Sequence, residues 1–351
     1  MWKQRYPVVL SLLVSSANSQ GPLPTGTVVA TPLVSKHFSY PTGVPYQADT
    51  DIGGRGPQLG YNLCNSSTQN PASLCQTSLF NGLADFCVWG PPESGAVFQD
   101  VTGEMVAWCT RSGYGTRLIP DGALTGLQFL KTPDYIQING FLDQTKVNIY
   151  TGELGGQLDP HAVDGRGNPI GGLMFSNIWG GSYTQVIEWI TFMGQNMFCI
   201  KACNPASPNA AAYCAHQYDR IGCPYNAPSN VQETVFQECD ADNAEFPGVY
   251  TFAGVVQTYT QPPASLGPIT SIPYVPKVPA SSNCRTFSSA DILGSSASGV
   301  AKTTETSPKS TGTGGDSDQG VGVNSALGSQ MIFIHTRHYL YVSVVFCWFF
   351  I

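Results

Sequence analysis

A mainly β domain stapled by disulfides, sandwich or barrel-like and with one or two short helices, is what this chain predicts. Three observations carry that expectation. Apolar residues recur with a period of two through the central part. Ten of the eleven cysteines fall between an apolar leader and an apolar tail. Only one segment has the start and stop signals of a helix.

The elements follow in order. Residues 1–19 read as a signal peptide: Lys3 and Arg5 precede the apolar run Pro7 to Val14, and Ala17 and Ser19 put small residues before Gln20. That run is too short to span a bilayer, which takes roughly 20 residues. Residues 20–60 form a Pro/Gly-rich lead-in expected to lie over the domain surface or to stay disordered. The core is expected over 61–285. Tyr135 to Asn139, Val147 to Ile149, the long β-branched and aromatic run Tyr183 to Phe192, Met197 to Lys201 and Gly248 to Phe252 all read as strands. A turn at Gly194-Gln195-Asn196 should make a hairpin of two of them. Ser207 as N-cap and Pro208 at the first helical position predict a helix over Asn209 to Ile221, ended by Gly222.

From Pro262 to Pro279 a proline-rich strap leads to Cys284, which should fasten it to the domain. Residues 286–324 are Ser/Thr-rich and poor in apolar side chains, as in an O-glycosylated stalk. Small residues at Asn324-Ser325-Ala326, a spacer and an apolar end give 325–351 the order of a cleaved glycosylphosphatidylinositol signal, with attachment at Asn324.

Cys64, Cys75, Cys87, Cys109, Cys199, Cys203, Cys214, Cys223, Cys239 and Cys284 are an even set, four then six, and five disulfides are expected, with connectivity open. Cys347 lies in the segment expected to be removed. Removing leader and tail takes Lys3, Arg5 and Arg337 from 16 basic residues and none of 23 acidic ones, so the formal charge deepens from −7 to −10. Such a surface argues against nucleic acid and anionic lipid as partners, leaving a lipid anchor as the route to a membrane. Asn65-Ser66-Ser67 is the one Asn-x-Ser/Thr acceptor, so Asn65 is the expected N-glycosylation site.

The loop from Gly155 to Gly172 gathers Asp159, His161, Asp164 and Asn168 between strands. His216 and Asp219 would share one helix face. If loop and helix meet, His161 and His216 with Asp159 or Asp219 could form a metal site or an acid/base pair, and Glu188 with Asp159 could imitate paired glycosidase carboxylates. The plainer alternative makes them turn-forming residues and a surface histidine. Hydrolase elbows, zinc-protease helices, phosphate loops and dinucleotide fingerprints are missing from the sequence, and no cofactor is expected. Trp89, Trp108, Trp179 and Trp189 are candidates for stacking on sugars, with burial in the core as the other outcome.

Specific wording recurs in the core: Asp85-Phe-Cys-Val-Trp-Gly-Pro-Pro92, Val106-Ala-Trp-Cys109, Gly126 to Tyr135, Leu158-Asp-Pro-His161, Gln185 to Trp189, Phe198-Cys-Ile-Lys-Ala-Cys203, Tyr213 to Cys223 and Phe246-Pro-Gly-Val-Tyr250. Over about Tyr61 to Cys284 the chain resembles the fungal macrophage activating glycoprotein family. The resemblance implies an extracellular, mannosylated, often surface-anchored fungal antigen, met by host receptors through its glycans, and it supplies no established catalytic residues. The expected function is therefore a non-enzymatic cell-surface or wall glycoprotein with wall polysaccharide as partner. The alternative is a secreted carbohydrate-active enzyme using Asp159 and His161 with Glu188 or His216.

Overall fold

The computed structural model describes residues 31–293. The signal peptide, most of the stalk, Asn324, Cys347 and the anchor signal lie outside them. Three antiparallel or mixed sheets carry the fold. The first has six strands: β1 (Thr77–Gly82), β2 (Asp85–Gly90), β3 (Val106–Cys109), β4 (Arg117–Leu118), β8 (Leu173–Ser176) and β9 (Thr184–Val186), in the order β4-β3-β2-β1-β8-β9. The second has seven: β5 (Leu124–Lys131), β6 (Tyr135–Leu142), β7 (Gly156–Leu158), β10 (Trp189–Gly194), β11 (Met197–Cys203), β12 (Phe236–Ala241) and β15 (Ser281–Phe287), ordered β15-β12-β5-β6-β11-β10-β7. The third is a lone hairpin of β13 (Val249–Phe252) and β14 (Val255–Thr258).

The two large sheets pack face to face, so the fold is a sandwich and not a barrel. Phe80 meets Phe129 edge-on at 5.7 Å, Phe86 stacks on Phe198 at 5.9 Å and Trp89 stacks on Trp189 at 5.9 Å, each pair crossing between sheets. Rings at these spacings add about 0.5–1.5 kcal/mol beyond the apolar area they bury.

Strand β11 shows how the pattern specifies the layers. Phe198, Ile200 and Ala202 enter the inter-sheet core, while Cys199 and Cys203 join a second core on the outer face. That outer face is covered, because Cys199 bonds Cys223 and Cys203 bonds Cys214. The other bonds are Cys64–Cys75, Cys87–Cys109 and Cys239–Cys284. The four N-terminal cysteines thus pair among themselves, as do the six others. Cys239 on β12 holds Cys284 on β15, which fastens the proline strap.

Several expectations change. The helix over Asn209 to Ile221 is replaced by two short ones, α1 (Ala210–Tyr213) and α2 (Gly222–Asn226). In a continuous helix Cys214 and Cys223, nine residues apart, would point about 180° from each other. Both must instead reach the outer face of β11, so the chain bends between them. Gly222, at φ 66°, begins the second helix instead of ending the first. Val147 to Ile149 is not a strand: Gln144–Val147 is a 3-10 turn capped by Asp143, followed by Asn148 in the left-handed region at φ 69°. The run Tyr183 to Phe192 is two strands, β9 in one sheet and β10 in the other. The hairpin of β10 and β11 forms around Gln195 and Asn196, both at positive φ as a tight primed turn requires.

The domain limits also shift outward. Leu33, Val44 and Ala48 of the lead-in belong to the main core. At the other end β15 runs to Phe287 and α3 (Ser289–Leu293) buries Ile292 in the same core, so the residues from 286 to 293 are docked and not stalk.

Candidate acid–base site

The Gly/Pro loop after β7 is held by an exchange of arginines. Arg55 reaches into it, donating to both oxygens of Asp164 at 2.9 and 2.6 Å, to Asn168 Oδ1 at 2.5 Å and to Gly167 O at 2.9 Å. Arg166 reaches out of it, fully buried, to Asp49 Oδ1 at 2.9 and 3.1 Å and to the carbonyls of Gly56 and Asp51. Asp164 is thereby held below the usual carboxylate range: burial would raise it, and the hydrogen bonds and charge of Arg55 with those of Arg166 prevail. Asp164 and Asn168 are structural residues of this loop. Bidentate guanidinium–carboxylate contacts fix orientation as well as distance.

The loop so fixed carries His161 to a corner where Glu188 and His216 also arrive. Asp159 Oδ1 accepts from the backbone N–H of His161 at 2.9 Å and of Ala162 at 2.8 Å, which sets the turn. His161 Nε2 lies 2.9 Å from Glu188 Oε2. Glu188 occupies the crossing from β9 to β10, and its carbonyl accepts from the N–H of Cys203 at 3.0 Å. The His216 ring stacks on that of His161, with centroids 4.0 Å apart and planes at 17°. It stands between the half-cystines Cys214 and Cys223, and its carbonyl accepts from Gln157 Nε2 at 3.2 Å.

All four candidate side chains therefore meet, though not as a helix face would have arranged them. Asp219 turns away to accept from Gln261, just before the strap. Asp159 is 7% exposed, with its Oδ1 occupied by its own turn.

The two imidazoles differ in basicity. Burial works to lower His161, but the hydrogen bond and charge of Glu188, with the charge of Asp159, raise it above the ordinary histidine value. His216 is lowered, first by burial and then by the charge of His161, against the pull of Asp159, Glu188 and Asp219. Of the two rings His161 is therefore the more readily protonated. Stacked rings aim their lone pairs along parallel planes, which do not converge on one ion. Among the described residues no group of three or more His, Cys, Asp or Glu could hold a metal.

Glu188 also lines a groove of about 590 Å³ with residues 37–39, 183–185 and 187, and with Pro205, Ser207, Pro208 and 210–211. Phe38, from a segment 150 residues before Glu188, carried no sequence signal that would place it there. Three of the tryptophans proposed for sugar stacking are not available for it: Trp89, Trp189 and Trp108 are 0, 1 and 7% exposed, whereas Trp179 is half-buried. Their planar area serves the inter-sheet core. Lys201, also unforeseen, is buried between the two disulfides of β11, with Nζ on the Asn226 carbonyl and 4.7 Å over the Tyr135 ring.

Fold and site together define a disulfide-stapled β-sandwich with a covalently fastened outer layer and a histidine–carboxylate cluster at the sheet crossing. No family model and no solved structure matches the chain. It is 40% identical over 257 residues to appressorium protein ROW2 of Mycosarcoma maydis, covering 71% of this chain and 82% of that protein. It is 44% identical over 201 residues to appressorium protein ROW1 of the same fungus, covering 56% of this chain and 47% of ROW1, about half of that relative's length. The chain belongs to the family of ROW2. Among the described residues no helix is long and apolar enough to cross a membrane.

Proposed function

We propose that the protein works outside a fungal cell, as a surface or wall glycoprotein related to appressorium proteins, without catalysis of its own. The observation that carries this is the set of five disulfides, which form and persist in oxidising compartments. Kinship with ROW1 and ROW2 supports a fungal setting. Asn65 supports the glycoprotein part: it is exposed, and Ser67 donates its hydroxyl to Asn65 Oδ1 at 2.6 Å, so acceptor and hydroxyl are already in contact. In this reading Asn324 takes a glycosylphosphatidylinositol anchor, the chain is a mannoprotein of the macrophage activating glycoprotein kind, and wall polysaccharide is its partner, with host receptors meeting its glycans. Fractionating the producing fungus tests it. The protein should appear in wall and medium with all core thiols oxidised, phosphatidylinositol phospholipase should release a membrane share, and Asn65→Gln should abolish the mass lost on endoglycosidase treatment. Retention inside the cell with free thiols would end the proposal.

A second reading follows from the contact of His161 with Glu188. A histidine held by a carboxylate beside a groove can exchange protons with a bound sugar hydroxyl. New reducing ends from fungal polysaccharides, lost in His161→Ala, would favour it; their absence across β-glucan, chitin and mannan would remove it.

A further inference from the structure

The groove beside Glu188 is preformed and chemically selective. The Phe38 N–H donates to Gln185 Oε1 at 2.6 Å, and Gln185 Nε2 donates to Lys36 O at 3.1 Å, so one amide side chain sets the wall opposite β9. The Tyr183 ring is fixed edge-on against Tyr40 at 4.8 Å. Phe38 and Tyr183, both half-buried, line the groove. Ser39 and Thr184 are exposed there, and among the described residues Glu188 keeps one oxygen outside any hydrogen bond after His161 has taken the other.

Charge narrows the occupant. Glu188 and His37 are the ionisable lining groups besides the phenol of Tyr183. An acidic chain would meet a carboxylate and no fixed cation, and a basic peptide would meet one carboxylate already shared with an imidazole. Apolar ring faces, hydroxyls and one acceptor oxygen match a neutral ligand that has both flat C–H faces and many hydroxyls. A volume of about 590 Å³ is within the usual range for ligand sites, roughly 300–1,000 Å³. We infer that this groove binds a short stretch of neutral polysaccharide, its pyranose faces on Phe38 and Tyr183 and its hydroxyls donating to Glu188.

This inference rests on the extracellular wall reading, and two measurements keep their fates apart. The first is co-sedimentation of the full chain with isolated fungal walls. The second is calorimetric titration with β-glucan, chitin and mannan oligosaccharides, for the natural chain and for Tyr183→Ala and Thr184→Arg. Thr184 is exposed, so Thr184→Arg fills the groove without disturbing the core. One oligosaccharide class should bind with a Kd on the order of 1 mM or tighter, and each variant should weaken it about tenfold or more. Wall binding unchanged in both variants overturns the groove site and leaves the wall reading standing. Failure of the natural chain in both measurements overturns both. Binding of a proline-rich peptide in place of every oligosaccharide also overturns the inference.

Discussion

Replacing Lys201 with methionine is the sharpest test of the covered outer face. The lysine is 1% exposed, and burial brings its ammonium from the ordinary 10.5 down to about 7. Among the described residues no carboxylate offsets that burial; the Asn226 carbonyl and the Tyr135 ring are its partners. The sign follows from proton counting. Between pH 7 and about 10.5 the unfolded chain holds a proton that the native chain has released, so stability rises with pH by about 1.4 kcal/mol per pH unit. Below pH 7 the full deficit, about 5 kcal/mol, is in place. Methionine fills a similar volume and has no such deficit, though it leaves the Asn226 carbonyl without its donor, at about 1–3 kcal/mol. Urea unfolding with the disulfides intact, at pH 7.5 and pH 9, should give a natural chain about 2 kcal/mol more stable at the higher pH, and a Lys201→Met chain without that gain. Parallel pH profiles would refute the reasoning, because they would mean that Lys201 titrates as a solvated amine.

Other outcomes follow from the same structure. The histidine pair should stabilise most near pH 6.5. Its His161 share is complete below that value and lost as pH rises through the raised constant. Its His216 share is complete above it and lost as pH falls through the lowered one. The whole effect is about 1 kcal/mol for a partly exposed pair, and a melting profile against pH unchanged in a His161→Ala, His216→Ala double variant would dismiss it. Replacing Cys239 and Cys284 with serine opens a 45-residue separation and should cost about 4 kcal/mol by chain entropy, with new protease cleavage in the strap. Full resistance would show the strap to be held by other contacts. Arg166→Met leaves buried Asp49 with only the Asp51 N–H and a longer contact to Lys36 at 3.8 Å, and should cost about 3–5 kcal/mol in denaturant unfolding; a loss under about 1 kcal/mol would contradict the exchange described for that loop.

Much of this was legible in the residues, for reasons of period and count. Alternation exposed β6 and β11, and an even number of cysteines foretold the stapling. Alternation cannot say when a strand changes sheet, so Tyr183 to Phe192 read as one element although Val186 and Trp189 end in different layers. Helix signals at Ser207 and Gly222 were overridden because two disulfides demand a bend. The meeting of His161, Glu188 and His216 was named as a possibility on residue type alone; its geometry comes from loop and cover segments that only tertiary structure brings to one corner. Lys201 left a trace that sequence reasoning missed: a lysine between two cysteines on a strand whose neighbours are all apolar.

The crossing from β9 to β10 has a mechanical side. Gln185 and Glu188 stand three residues apart on a stretch that passes from one layer of the sandwich to the other, and each shapes the groove. Any sliding of one layer over the other would shift these two groups relative to each other before it unravelled a strand. Occupancy of the groove would then act as a strain gauge for the sandwich: a rigid ligand spanning both groups would resist shear, and a sheared domain would release it.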